Sequence, residues 1–408
     1  MRPAENNQGS FLTRISIRRN QVADMNHEQE LEDIELLQKH VADRFSELIP
    51  STLVPLPSTG AGSGDFPAGD NAEESPLLSI SWFRKLLDAF LCCDAEFKAV
   101  LLMGRDPSQF SKPPLDRLVP ELLDRFVKAL DICNAASHGV ELLRRWQRLA
   151  QIAVEALQQR PIAEGQVRRA NKALSTVLAS MAYDDRENHH GKSAERSWSF
   201  GRRGGGGNNK DRNSGNFRSL SWTVAKSWSA SKQIHAMSSN LVAPRGGEPT
   251  SLALPIYIMS SVLVFVMWAL VAAIPVQERT GLSTHFPVPK QFVWAQAMIG
   301  LQEKIGDEWK RKEKKGTSGL MEEVQRMEKV AQSLVEFSDG FRFPADTAQE
   351  EEVAAKVSEL EEICRRMEGG LLPLQQQVRE VFHRLVRSRV EILDVLDQVA
   401  KLTAPVPY

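Results

Sequence analysis

Cysteine is scarce in this chain: only Cys92, Cys93, Cys133 and Cys364 occur among 408 residues. No pair has metal-ligand or CxxC spacing, so neither a structural metal nor a disulfide framework is expected, and a reducing compartment fits best. Tyrosine is scarcer still, at three residues, and no segment alternates apolar and polar residues between turn signals, which removes the signature of a sheet. Net charge is close to nil. Lys and Arg number 51 against 52 Asp and Glu, a formal charge of -1, so no whole-molecule field favours nucleic acid. The first residues, Met1-Arg2-Pro3-Ala4-Glu5, begin no apolar run and place Arg rather than Gly second. The last, Pro405-Val406-Pro407-Tyr408, contain no Cys. Neither a secretory signal nor a myristoyl or prenyl anchor is expected.

Catalytic signatures are missing as well. There is no HExxH, no GxSxG and no GxxxxGK[ST], the spacings that build a zinc protease, a nucleophile elbow or a phosphate cradle. Gly60, Gly62 and Gly64 sit in a loop context with no strand before them and read as linker. The eight His are scattered through the chain, and the one adjacent pair, His189-His190, has no further His or Cys nearby, so it reads as a solvated loop pair. Asp184-Asp185 and Glu350-Glu351-Glu352 read as charges at polar helix ends, where an acidic first turn complements the helix dipole. No enzyme, no cofactor and no metal are expected.

What is present is helical periodicity. Leu31, Ile34, Leu37, Val41, Phe45 and Leu48 recur every three or four residues until Pro50, a helix over 27–49. Residues 50–76 are rich in Pro, Gly and Ser and read as a flexible linker. A second helix spans 77–103, closed by Gly104 and Pro107, as a C-terminal glycine followed by proline should close it. After Pro113-Pro114 the 3–4 spacing continues to Leu157 with a break expected near Gly139, and Val167, Leu174, Leu178 and Met181 mark another helix. Towards the C-terminus four helices are expected, over 292–315, 320–337, 350–367 and 371–402, with Pro373 in the first turn of the last. The fold class is all-α: a bundle of long antiparallel helices in an N-terminal region 27–187 and a C-terminal region 251–408.

Two basic segments and one apolar run stand apart. Residues 1–26 read as flexible, with Phe11, Leu12, Ile15 and Ile17 set among Arg14, Arg18 and Arg19. Phe11, Arg14, Arg18 and Arg19 are candidate contacts for a docking partner or an anionic lipid surface. Residues 188–250 are rich in Gly, Ser, Asn and Arg, with too few apolar groups to offset ordering entropy. A short helix within 220–241 is compatible with them. Ser197 and Ser199 alternate there with Arg196, Trp198, Phe200, Arg202 and Arg203. They are a candidate phosphorylation switch, since phosphate weakens the attraction of such a segment for an anionic membrane. Residues 252–276 carry no charge, and the segment Leu254 to Ile274 exceeds the ~20 apolar residues that cross a bilayer. Length favours membrane contact. Pro255 and Pro275, and the fact that a central bundle helix is also apolar all round, favour a core helix. Cys92-Cys93 read as buried in their helix rather than palmitoylated.

Several long blocks, in one order, resemble the plant BYPASS-related proteins, closest to their ROH branch. They are Gly9-Ser-Phe-Leu-Thr-Arg-Ile-Ser-Ile-Arg-Arg-Asn-Gln21, Leu102-Met-Gly-Arg-Asp-Pro-Ser108, Ala129-Leu-Asp-Ile-Cys-Asn134, Trp146-Gln-Arg-Leu-Ala150 and Glu195-Arg-Ser-Trp-Ser-Phe-Gly-Arg-Arg203. The resemblance implies an adaptor that binds a subunit of the exocyst, the complex that tethers secretory vesicles. Its role would be in polarised secretion such as wall polysaccharide deposition. The chain would be cytoplasmic and membrane-associated, with a single-pass span as one form of that association; the alternative is a soluble cytosolic protein. The BYPASS branch implies the alternative: a developmental regulator that restrains a mobile small-molecule signal. No motif-level binding residues come with the resemblance.

Overall fold

Each apolar stripe forms a helix because its residues fall on one face at 3.6 per turn and find a neighbouring stripe to bury against. The computed structural model describes residues 24–50, 75–102, 107–186, 228–244, 252–276, 279, 281–283, 286, 288–313, 319–341 and 347–403. Among these there are nine α-helices and no strand. They are α1 (Asp24–Ser46), α2 (Ile80–Leu102), α3 (Leu115–Gln158), α4 (Glu164–Arg186), α5 (Ala230–Ser238), α6 (Ala253–Ala273), α7 (Gln296–Glu313), α8 (Glu322–Gly340) and α9 (Thr347–Thr403). The fold is all-α, as the spacing predicts.

Two long helices organise the rest. α9 has 57 residues, and α3 has 44, lengths of about 85 and 65 Å at 1.5 Å per residue. They run antiparallel: Gln375 Nε2 is 3.2 Å from Glu141 Oε1, and farther along the Cys364 thiol meets the Gln147 carbonyl. α2 lies parallel to α9, with Gln377 donating to Asp88 and Lys98 to Glu391. α4 folds back on α3, where Trp146 Nε1 donates to Ser180 Oγ at 2.9 Å. α8 folds back on α9, where Arg326 pairs with Glu359 and Arg366 with Glu322 and Glu323. Residues from before and after the basic insertion therefore share one core.

Two helices are longer than the sequence suggests. α3 runs unbroken through Gly139. A Cβ there would lie 2.4 Å from both the Ile274 side chain and the Pro275 carbonyl oxygen. The glycine permits close approach rather than marking a break. α9 likewise continues through Gly369, Gly370 and Pro373 where two helices were expected. Met367, Leu371, Leu374 and Val378 keep one buried face across that point. Tertiary burial of this stripe outweighs the hydrogen bond that Pro373 cannot make. A Cβ on Gly370 would sit 2.7 Å from Ile80 Cγ2, so here too glycine admits a neighbouring helix.

Candidate functional site

The uncharged run is the hub of the bundle. α6 touches α1, α2, α3, α5 and α7, and every residue from Pro255 to Ala273 is buried. A helix with no amphipathic direction suits a site with neighbours on all sides. Phe265 meets Phe45 edge-on at 5.6 Å, and Trp268 meets Phe286 at the same separation. Two polar side chains of the helix find partners within the protein. Trp268 Nε1 donates to the Ser283 carbonyl at 2.7 Å, and Ser261 Oγ to the Tyr257 carbonyl at 2.8 Å.

The C-terminal end of α6 is closed by the chain that precedes α8. Leu320 N donates to the Ala272 carbonyl at 3.0 Å, Met321 N to that of Ala273 at 3.3 Å, and Arg279 Nη1 to that of Ile274 at 3.3 Å. A helix end leaves such carbonyls without intrahelical partners, and these three donors satisfy them. Arg279 also lies over the Trp309 ring at 5.9 Å. Gly319, at φ 128°, approaches so closely that a Cβ would fall 2.2 Å from the Ala273 oxygen. The start of α2 joins the same junction: Ile80 N donates to the Glu323 carboxylate, and Glu322 N to the Leu78 carbonyl. Burial pushes the Glu323 carboxyl up from its ordinary range, against the pull of Arg366.

Two further polar pairs fasten α2. Glu96, 3% exposed, accepts both Arg44 nitrogens at 3.0 and 2.6 Å and lies 3.2 Å from His40 Nδ1. Asp94 is fully buried and accepts from Ser388 Oγ of α9 at 3.1 Å. Burial raises its pKa to about 6, with Lys98 and Ser388 opposing. These carboxylates face partners that hold helices together, not a cavity, and among the described residues no group of His, Cys, Asp and Glu has the makings of a metal site.

The outer face of α9 is the clearest surface for a partner. Phe382, Val386, Val390 and Leu393 follow one another at helical spacing, the outer two half-buried and the central pair 38% and 48% exposed. Arg379, His383 and Arg387 stand exposed beside them. The opposite face, with Val381, Leu385, Ser388 and Ile392, is buried.

Of the residues singled out in sequence, Leu254 is half-buried in the first turn of α6, and Ile274 is fully buried just past its end. Cys93 is buried and its thiol is pushed up to about 12 by desolvation, while Cys92 is half-buried. Phe11, Arg14, Arg18, Arg19, Ser197, Ser199, His189 and His190 lie outside the described residues. Sequence reasoning placed a helix over 371–402 but did not single out this face of α9. A stripe wider than its buried face is the signal that was available.

Residues 2–396 match the ROH1-like protein family. The chain is 57% identical to Protein ROH1A of Arabidopsis thaliana, all of both chains being covered. It is 40% identical to Protein ROH1D of the same plant, over 78% of this chain and 82% of that one. No solved structure matches. With a match spanning almost every residue, on a bundle whose buried stripes fill its interior, the chain belongs to the ROH1-like family.

Proposed function

We propose that this chain is a non-enzymatic adaptor that binds a subunit of the exocyst and regulates polarised secretion. The α9 face carries this reading. An apolar stripe with i, i+4, i+8 and i+11 anchors, flanked by exposed Arg379 and Arg387 and, towards its end, by exposed Asp394 and Asp397, suits a helical partner that lays a complementary surface along it. Membership of the ROH1-like family supports it too, since the resemblance to the ROH branch implies that partner. In this reading α6 is the structural core. Its enclosure by five helices, with its end carbonyls satisfied inside the protein, supports that role over a transmembrane span.

The test is binding of purified full-length chain to a purified exocyst subunit, alongside a Val386→Glu/Val390→Glu variant. Micromolar or tighter binding by the parent, lost in a variant with an unchanged thermal melt, is the expected outcome. Absence of binding by the parent at micromolar concentration would refute the proposal. Carbonate extraction from plant membranes tests the place of α6, and the expected result is release into the soluble fraction.

A further inference from the structure

Glu380, Arg387, Asp394 and Lys401 recur at every seventh residue of α9, and all four are exposed. Seven residues make two turns, so these side chains form one line along the outside of the helix. Their signs alternate: acid, base, acid, base. Beside the line runs a seam, Val386, Val390 and Leu393, extended by Arg379 and His383 towards one end and by Asp397 towards the other. The seam advances in alternating steps of three and four residues. Val386 and Val390 are 38% and 48% exposed, among the most open large apolar side chains of the described residues. An apolar seam in heptad steps with charges along its edge is the pattern of a coiled-coil strand.

The charges are complementary to themselves once the line is reversed. In an antiparallel pair of identical helices the same edge of each meets the other, and a two-fold axis makes every contact twice. With the axis near Val390, Arg387 stands opposite Asp394 of the second copy, and Glu380 opposite its Lys401. Val390 then packs on Leu393 of that copy. Sliding the pair by one heptad sets Arg387 against Arg387 or Asp394 against Asp394. A parallel pair sets Arg379 against Arg379 and Asp397 against Asp397. Opposed like charges exclude both alternatives. Lys401 also bonds Asp397 of its own helix at 2.7 Å, an exposed pair. Such a pair is weak, and an ammonium has further hydrogens to donate.

We propose that the outer face of α9 pairs antiparallel with the same face of a second copy of this chain. The patch is small beside a standard protein interface, so the dimer is weak, dissociating on the order of 10 µM. Self-association covers the face offered to the exocyst subunit and competes with it. The inference uses the same face as that reading but a different observation, the alternating charges. Dimerisation is measured on the chain alone, so its failure leaves the exocyst reading standing, and failure of exocyst binding leaves the dimer standing.

The experiment is sedimentation equilibrium of the full-length chain, from roughly 1 to 100 µM, with Arg387→Asp and Asp394→Arg variants alone and mixed. A reversible monomer–dimer equilibrium is expected for the parent. Each reversal alone opposes like charges twice across the axis and is expected to weaken association roughly tenfold or more. Both positions are exposed, so thermal melts at low concentration should match the parent. An equimolar mixture of the two variants is expected to recover the parent's association, because each new charge then meets its opposite in the mixed dimer. A parent that stays monomeric throughout the range, variants that associate as the parent does, or a mixture no better than its components would overturn the proposal.

Discussion

α6 and α9 are both continuous helices, yet they solve opposite problems. α6 has 21 residues, no charge and neighbours on every side. α9 has 57 residues, buries one face against α2, α3 and α8, and leaves the other to solvent. The difference teaches that apolar content and apolar periodicity report separate things. Content says how much of a helix is covered, and periodicity says from which direction. Where every position is apolar, direction is lost, and a protein interior and a bilayer look alike.

Substitutions at matched positions make that contrast measurable. Val264, fully buried at the middle of α6, changed to Glu is expected to cost more than about 4 kcal/mol. An isolated carboxylate has no partner there and the surroundings cannot hydrate it. Circular dichroism melts should show loss of the cooperative transition. The corresponding change on the α9 stripe, Val390→Glu, belongs at the other end of the scale. Phe265→Ala, which empties the space against Phe45 and Trp268, is expected to cost roughly 3–5 kcal/mol by denaturant titration. A loss below 1 kcal/mol would show that α6 is not packed as described.

The Asp94–Ser388 contact links the amphipathic helix to the interior, and its pH dependence has a defined sign. The folded pKa, about 6, stands above the ordinary 3.8. The folded state therefore holds the proton more tightly than the unfolded chain. Stability is greatest when Asp94 is protonated and declines as pH rises from about 4 through 6. Asp94→Asn, which keeps an acceptor for Ser388, should remove the decline. A gain of roughly 1–3 kcal/mol at neutral pH, shrinking towards zero at pH 4, is expected from parallel urea melts. The smallest effect is that of Val390→Glu, within about 0.5 kcal/mol of the parent in stability. A larger loss would mean that this face is already occupied within the bundle.

Much of the fold was legible in the sequence because most of the chain is amphipathic. The stripe through Ile34, Leu37, Val41 and Phe45 gives α1 directly, and all four are buried. What stayed hidden was whatever depends on residues far apart in the chain. Gly139 and Gly370 look like breakers by local propensity, and only the approach of Pro275 and of Ile80 explains why each lies inside a continuous helix. The α9 face was equally unreadable: Leu385, Val386, Val390 and Ile392 are all apolar, and only the neighbours α2, α3 and α8 decide that Leu385 and Ile392 are covered while Val386 and Val390 are exposed.

Two of the three donors that close α6 come from residues 320 and 321, almost fifty positions downstream. During synthesis the most water-averse segment of the chain thus leaves the ribosome well before the groups that finish it. α1, α2 and α3 are already available to shelter one side, and α7 and the turn before α8 arrive later. A chain cut short between these points exposes a membrane-length greasy cylinder, and such fragments should be drawn to chaperones or lipid. Surviving intact is therefore a matter of timing as well as of affinity between helices.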